Sequence, residues 1–321
     1  MADKRWLPET LFDDLGFRMT FAVDKVLYEQ QTEHQHLVLF EQKHFGKMLI
    51  LDGATQVTAR DEFIYHEMMT HVPILAHGRA RNVLIVGGGD CGIAEEVLKH
   101  KALKSVVQVE IDASVVEFSK EHFPEFAGPV FRDKRFESVI ADGMKYVAET
   151  ERRFDVIIVD STDPQGPGKV LFSERFYRAC KGCLARGGVL VTQNGVPILQ
   201  SGELVSSIRK FRKLFADGGC YVAAIPTYVG GHMAMGWAAK DRKLPASGAD
   251  DRRPLQEGRQ LQDPILDARG ARRRLRAAAL HRRAREGREE EIGAVIRRAD
   301  WPRSGVIRRA TESRRITRLR R

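Results

Sequence analysis

Val83-Leu84-Ile85-Val86-Gly87-Gly88-Gly89-Asp90-Cys91-Gly92 is the stretch around which the rest of the chain is organised. Four apolar residues predict a buried strand. The glycines turn the backbone tightly, and Ile93 to His100 continues as a helix. Strand, glycine loop and helix in this order open a nucleotide-binding α/β domain. Gly87, Gly89 and Gly92 satisfy GxGxxG, a pattern that carries weight only because a strand precedes it and a helix follows. Asp90 alters its meaning. A dinucleotide fold places a pyrophosphate at this loop, and a carboxylate there repels phosphate. Asp90 favours instead a nucleoside without phosphates that carries positive charge nearby, as adenosyl sulfonium compounds do. The plainer role for Asp90 is to cap the following helix.

Downstream, strands and helices alternate. Ser105 to Ile111 is a second strand with Glu110 near its end. Phe136 to Ala141 runs into Asp142-Gly143. Phe154 to Val159 ends in Asp160-Ser161-Thr162-Asp163-Pro164. Gly188 to Thr192 ends at Gln193, and Val222 to Ile225 precedes Tyr228. Ligands of an open parallel sheet bind at the carboxyl ends of its strands. Asp90, Glu110, Asp142, Asp160 and Asp163 all fall at or just after those ends, with Gln193. One such residue is ordinary turn chemistry. Five along one edge repel one another unless a cation lies among them.

Upstream, residues 1–72 predict a small β-rich domain, with strands at Phe21 to Tyr28, His36 to Phe40 and Lys47 to Leu51. Asp61 to Ala76 predicts a helix that Pro73 bends or restarts. Tyr65, His66 and Glu67 stand on it without the spacing of a metal motif.

The chain has 321 residues and a net charge of +10. The charge is uneven. Residues 242–321 hold 24 Lys+Arg against 11 Asp+Glu, whereas residues 1–241 hold 29 against 32. A mildly acidic body argues against an extended phosphate-binding surface and against a nucleic-acid partner. No apolar run reaches membrane-span length, and the first residues lack a signal-peptide core. Four cysteines without a disulfide framework fit a reducing cytoplasm. Cys180 and Cys183 are expected one helical turn apart as packing residues rather than as a metal or redox pair.

A carboxylate rim suits an amine substrate. Glu110 has the position of a ribose-binding carboxylate, and Asp142 can accept from an adenine amino group. An aliphatic amine is protonated near neutral pH and attacks only after losing a proton. Asp160, at the end of a fully apolar strand, is the candidate acceptor. The combination of GGGDCG, the strand ending in Glu110, ADG at 141–143, DSTDPQGPG at 160–168, TYVGGHMAMGWA at 227–238 and LILDGATQVTARDEFIYHEMMTHVP at 49–73 resembles spermidine synthase. The resemblance runs from about Trp6 to Lys240. It implies a class I methyltransferase-like, Rossmann-like, mostly parallel sheet over 73–243 behind an N-terminal β domain. It implies transfer of the aminopropyl group of decarboxylated S-adenosylmethionine, a co-substrate, to putrescine, in a homodimer or homotetramer without a metal or other cofactor. By the same resemblance Asp160 is the proton acceptor. Gln35, Glu110, Asp142, Gly143 and Pro167 match nucleoside-contacting positions. His66, Asp90 and Asp163 match amine-contacting ones, with Ser161 and Thr162 in the same loop and Tyr65, Gln193 and Tyr228 lining the channel. The acidic rim agrees with this at Asp90, which repels the carboxylate of ordinary S-adenosylmethionine and accepts the decarboxylated donor. A methyltransferase shares the fold and Glu110 but leaves Asp90, Asp160 and Asp163 together without a purpose.

Beyond about Lys243 the composition breaks. Of the 24 basic residues in 242–321 only Lys243 is lysine, and Trp301 is the sole aromatic. Such a segment lacks the apolar surface to fold, so 244–321 is expected to be poorly ordered. The sequence also suggests a slipped reading frame near Leu244. Back-translated with mostly GC-rich codons and read one base later, DPILDARGARRRLRAAALHRRAR at 263–285 can give IRYWTPEVHVAAFALPRYIAEL, which has aromatics, apolar periodicity and the look of the family's C-terminus.

Overall fold

A computed structural model describes residues 5–31, 36–164 and 166–244. Gln35 and nearly all of the arginine-rich segment lie outside the described residues.

Six strands come first: β1 (Trp6–Glu9), β2 (Met19–Ala22), β3 (Lys25–Gln31), β4 (His36–Gln42), β5 (Gly46–Leu51) and β6 (Ala54–Thr58). β1 and β2 form an antiparallel ribbon, and β3 to β6 an antiparallel meander. The single strand expected over Phe21 to Tyr28 is two strands. They break at Val23-Asp24, where the Asp24 carboxylate accepts the Lys43 N–H at 2.6 Å. Leu37, Val38, Leu39 and Phe40 are all buried, so β4 does not alternate apolar with polar. One face packs with Phe21, Met48 and Ile50. The other packs against Phe123 and Phe126, which belong to the second layer of the molecule.

α1 (Glu62–His77) then runs as one helix. Pro73 lies inside it without ending it. Met69, Thr70, His71 and Ile74 are buried around it, and tertiary packing on both flanks outweighs the lost hydrogen bond.

Seven strands make the main sheet: β7 (Asn82–Gly87), β8 (Ser105–Glu110), β9 (Phe136–Ile140), β10 (Phe154–Asp160), β11 (Leu184–Gln193), β12 (Asp217–Ala224) and β13 (His232–Ala239). Their spatial order is β12-β13-β11-β10-β7-β8-β9. Only β13 pairs antiparallel with its neighbours. α1, α2 (Gly92–Leu98) and α4 (Pro124–Arg132) cover one face. α5 (Gly143–Glu149), α6 (Glu174–Cys183) and α7 (Ser201–Leu214) cover the other. α3 (Ala113–His122) joins β8 to α4. This is the Rossmann-like, mostly parallel architecture expected from the sequence. β7 and β10 are apolar on both faces because helices cover both sides. Val83, Leu84, Ile85, Val156, Ile157 and Ile158 are fully buried, each contributing about 1.5–3 kcal/mol. Cys180 and Cys183 are buried one turn apart on α6 within this packing, as expected.

Candidate active site

The register of β10 against β7 pairs Asp160 with Gly87. Both strands end there, and the chain leaves each toward the same crevice. Gly87 has φ +83°, and a Cβ on it would lie 2.0 Å from the Asp160 carbonyl oxygen. The Gly88 N–H donates to that carbonyl at 3.1 Å, and Gln108 Nε2 donates to Gly88 O at 2.8 Å. The first glycines of the loop thus let β10 come close enough to set Asp160 beside the loop that carries Asp90. Cys91 also has positive φ, at 68°. Such strain in a non-glycine residue persists only where the surroundings fix it.

Asp90 sits at the start of α2, where its plainer role put it, and also faces α1. Oδ1 accepts the N–H of Gly92, the first residue of α2, at 2.9 Å. Oδ2 lies 3.3 Å from His66 Nε2. Burial works to raise the Asp90 pKa, but His66 and the Gly92 N–H outweigh it, and the pKa is lowered.

Asp160 has the opposite balance. Burial, then the Asp90 carboxylate, push it up to about 7, although a hydrogen bond from Tyr65 works against them. Tyr65 Oη donates to Asp160 Oδ1 at 2.5 Å. Tyr65 in turn packs edge-on against Tyr228, with ring centroids 6.0 Å apart, and Tyr228 Oη donates to Gln56 O at 2.8 Å. Two neighbouring carboxyl groups with pKa values driven apart are what acid–base chemistry near neutral pH needs.

Around this centre, Gln193 Nε2 donates to Ser161 O at 2.9 Å, and Gln193 Oε1 accepts Gly195 N–H at 2.6 Å. Asp163 Oδ1 accepts from Gln200 Nε2 at 2.7 Å, and burial raises its pKa. Thr162 is exposed in the same loop. Pro167 lies in a 3-10 turn over Gly166–Phe172. On the other side of β7, Glu110 Oε1 accepts the N–H groups of Ile111 and Asp112 at 2.8 and 3.1 Å. Burial raises Glu110, and those two donors partly offset it. Asp142 stands at the far rim, exposed, and caps α5 by accepting Lys145 N–H at 3.1 Å. Gly143 follows against Val86, whose Cγ1 a Cβ would meet at 2.5 Å.

Of the residues singled out from sequence, Tyr65, His66, Asp90, Asp160 and Tyr228 form one connected cluster. Ser161, Asp163 and Gln193 form its adjoining wall. Glu110, Asp142 and Gly143 line the edge toward β8 and β9. Three contributors escaped the sequence reading. Glu62 holds the second nitrogen of His66 at 2.7 Å. Gln200 holds Asp163. Glu9, from β1, is buried, accepts from Thr55 N at 3.4 Å and is pushed up to about 7 by burial, with Asp163 among the charges that raise it. The available signal was chemical: Glu62 and His66 are spaced i, i+4 on a predicted helix.

Residues 62–247 match the spermine/spermidine synthase domain, and residues 6–59 match the spermidine synthase tetramerisation domain. The polyamine aminopropyltransferase of Pseudomonas syringae pv. tomato is 55% identical over 240 residues, 74% of this chain and 83% of the relative. Polyamine aminopropyltransferase 1 of Pseudomonas aeruginosa is 54% identical over 240 residues, with the same coverage of 74% and 83%. Among solved structures, a spermidine synthase in complex with the transition state analogue AdoDATO superposes with a TM-score of 0.71 at 35% identity, covering 75% of this chain and 83% of that one. The spermidine synthase of Thermotoga maritima gives 0.68 at 33% identity, covering 75% and 81%. The chain belongs to the spermine/spermidine synthase family, the polyamine aminopropyltransferases.

Proposed function

We propose that the protein transfers the aminopropyl group of decarboxylated S-adenosylmethionine to putrescine, giving spermidine and methylthioadenosine, with Asp160 as proton acceptor. The observation that carries this reading is the pairing of Asp160, pushed up to about 7, with Asp90, held ionised beside it. The incoming ammonium gives one proton to the Asp160 carboxylate. Its freed lone pair attacks the carbon next to the sulfonium, the C–S bond breaks, and the electron pair returns to sulfur as the neutral thioether. A sulfonium is already a good leaving group, so positioning and proton removal suffice.

Glu110 is proposed for the ribose hydroxyls and Asp142 for the adenine amino group, with Gln35, Gly143 and Pro167 completing the nucleoside site. Asp90, held in place by His66, takes the amine end beside the reacting atoms, with Ser161 and Thr162 in the loop. Gln193, Tyr65 and Tyr228 line the channel. A diamine has a second ammonium to accommodate. Asp163 and Glu9, both raised by burial, with Asp163 among the charges that raise Glu9, supply a partner for it. That pairing favours a diamine over a monoamine acceptor. The match to a tetramerisation domain supports a homotetramer built through the N-terminal strands.

Asp160→Asn tests the assignment. It is expected to lower kcat by about 10²–10⁴-fold while methylthioadenosine binding, followed by calorimetry, stays within a few-fold. A variant with near-normal kcat would remove Asp160 as the acceptor.

A further inference from the structure

Glu62 and His66 stand one turn apart on α1 and share a face. The imidazole is 3% exposed. Nδ1 lies 2.7 Å from Glu62 Oε2, and Nε2 lies 3.3 Å from Asp90 Oδ2. A neutral imidazole carries one N–H and can satisfy only one of two carboxylates; the imidazolium satisfies both. The ring cannot swing away. Tyr65 and Phe126 flank it with centroids 5.7 and 6.2 Å distant. Gly92 forms its floor, where a Cβ would sit 2.2 Å from Cε1. The last glycine of the loop therefore makes room for this ring.

An imidazolium beside Asp90 has a cost. It cancels the charge that attracts a substrate ammonium. Glu62 restores it. We propose that Glu62 is a positioning residue of the amine subsite: it fixes His66 as an imidazolium between two carboxylates and supplies the charge that offsets it, so that Glu62, His66 and Asp90 together present one net negative charge to the amine.

The other titratable groups that bear on this unit are Asp160 at the end of β10, Glu110 at the end of β8, Tyr65 and Glu67 on α1, Cys91 just before α2 and Glu95 on it, and Tyr228 ahead of β13; α4 faces the ring with Phe126. Burial opposes charge on His66, yet Asp90 and Glu62 outweigh it and hold its pKa well above the ordinary value. The arrangement removes His66 as a source of pH dependence in amine affinity through the normal histidine range, so that what remains comes from groups such as Asp160.

This inference rests on the reading of Asp90 as an amine-contacting residue. The test is the calorimetric Kd of putrescine, with the full chain saturated in methylthioadenosine, between pH 6 and 8. It is measured for wild type, Glu62→Gln, His66→Gln, the double variant and Asp90→Asn. In Glu62→Gln the imidazolium is no longer offset, so Kd should rise about tenfold from pH 8 to 6 relative to wild type. In the His66→Gln background the same substitution should add no pH dependence. Imidazole ¹⁵N shifts should report a protonated His66 across the range in wild type and a titrating one in Glu62→Gln. Equal weakening by Glu62→Gln in both backgrounds would show a merely structural role and overturn the proposal, as would a neutral His66 in wild type. Asp90→Asn separates the two readings. If it leaves Kd unchanged, the Asp90 assignment fails; if it weakens binding while Glu62→Gln stays flat with pH, only the Glu62 proposal fails.

Discussion

Tyr65 Oη donates a 2.5 Å hydrogen bond to Asp160 Oδ1, across the gap between α1 and the end of β10. The donor favours the ionised carboxylate and so holds down a pKa that burial drives up. It also fixes one oxygen and, in the proposed mechanism, leaves the other for the amine. Helix and strand are 95 residues apart in sequence, and the contact ties α1 to the end of β10.

Tyr65→Phe is expected to shift the acidic limb of the kcat/KM profile. Asp160 accepts a proton only when ionised, so activity rises with pH through about 7. Losing the Tyr65 donor raises the pKa further and moves the limb to higher pH by about one unit, the scale of a hydrogen bond to a charged group. A pH–rate profile checks this. A limb unmoved or displaced toward acid contradicts it.

The same burial makes Asp160 a stability liability. Its folded-state pKa is raised from 3.8 to about 7. No cost arises below the unfolded value, where the group is neutral in both states. Stability is lost progressively as pH rises from the unfolded value to the folded one, because the unfolded chain ionises there while the buried carboxyl resists, and the loss is complete above about 7. Asp160→Asn removes that loss, with a gain at pH 8 of at most about 4 kcal/mol. Thermal melts of both proteins at pH 5 and pH 8 decide it. The variant's Tm advantage should widen at pH 8; equal gaps at the two values contradict the account.

Asp90→Asn is expected to narrow the preference for decarboxylated over ordinary S-adenosylmethionine by about tenfold, since repulsion between two carboxylates disappears. Competition binding of the two nucleosides measures the ratio directly. An unchanged ratio sinks the electrostatic explanation of donor choice.

Much of this site was legible because its residues follow apolar runs. Val83 to Val86 and Val156 to Val159 announce strands buried on both faces, and the residues just beyond them are the ones gathered in the crevice. Elements without such runs were harder to see. β13 contains Met233, Met235 and Gly236, and β12 begins at Asp217-Gly218-Gly219, compositions that do not read as strands. β13 becomes a strand because it pairs with β11, which does read as one, and β12 in turn pairs with β13. Glu9 was invisible for a related reason. Its burial depends on β1 folding back against Thr55, a contact across 46 residues that no local pattern encodes. The i, i+4 spacing of Glu62 and His66 was visible, but its meaning needed Asp90 on the third side.

For the arginine-rich segment we propose a shifted reading frame beginning near Leu244. The family match ends at residue 247 of a 321-residue chain. The curated relatives align over 240 residues, which are 83% of their length. Resequencing the gene should reveal an inserted or deleted base near codon 244. A protein expressed from the corrected frame should melt at a higher temperature than the present chain. A confirmed frame would contradict the proposal.

The most direct measurement is product analysis after incubating the purified protein with decarboxylated S-adenosylmethionine and putrescine. The account predicts methylthioadenosine and spermidine in equal amounts, and no S-adenosylhomocysteine when ordinary S-adenosylmethionine replaces the donor. S-adenosylhomocysteine with a methylated amine, or no methylthioadenosine from the frame-corrected protein in the presence of both substrates, would contradict it.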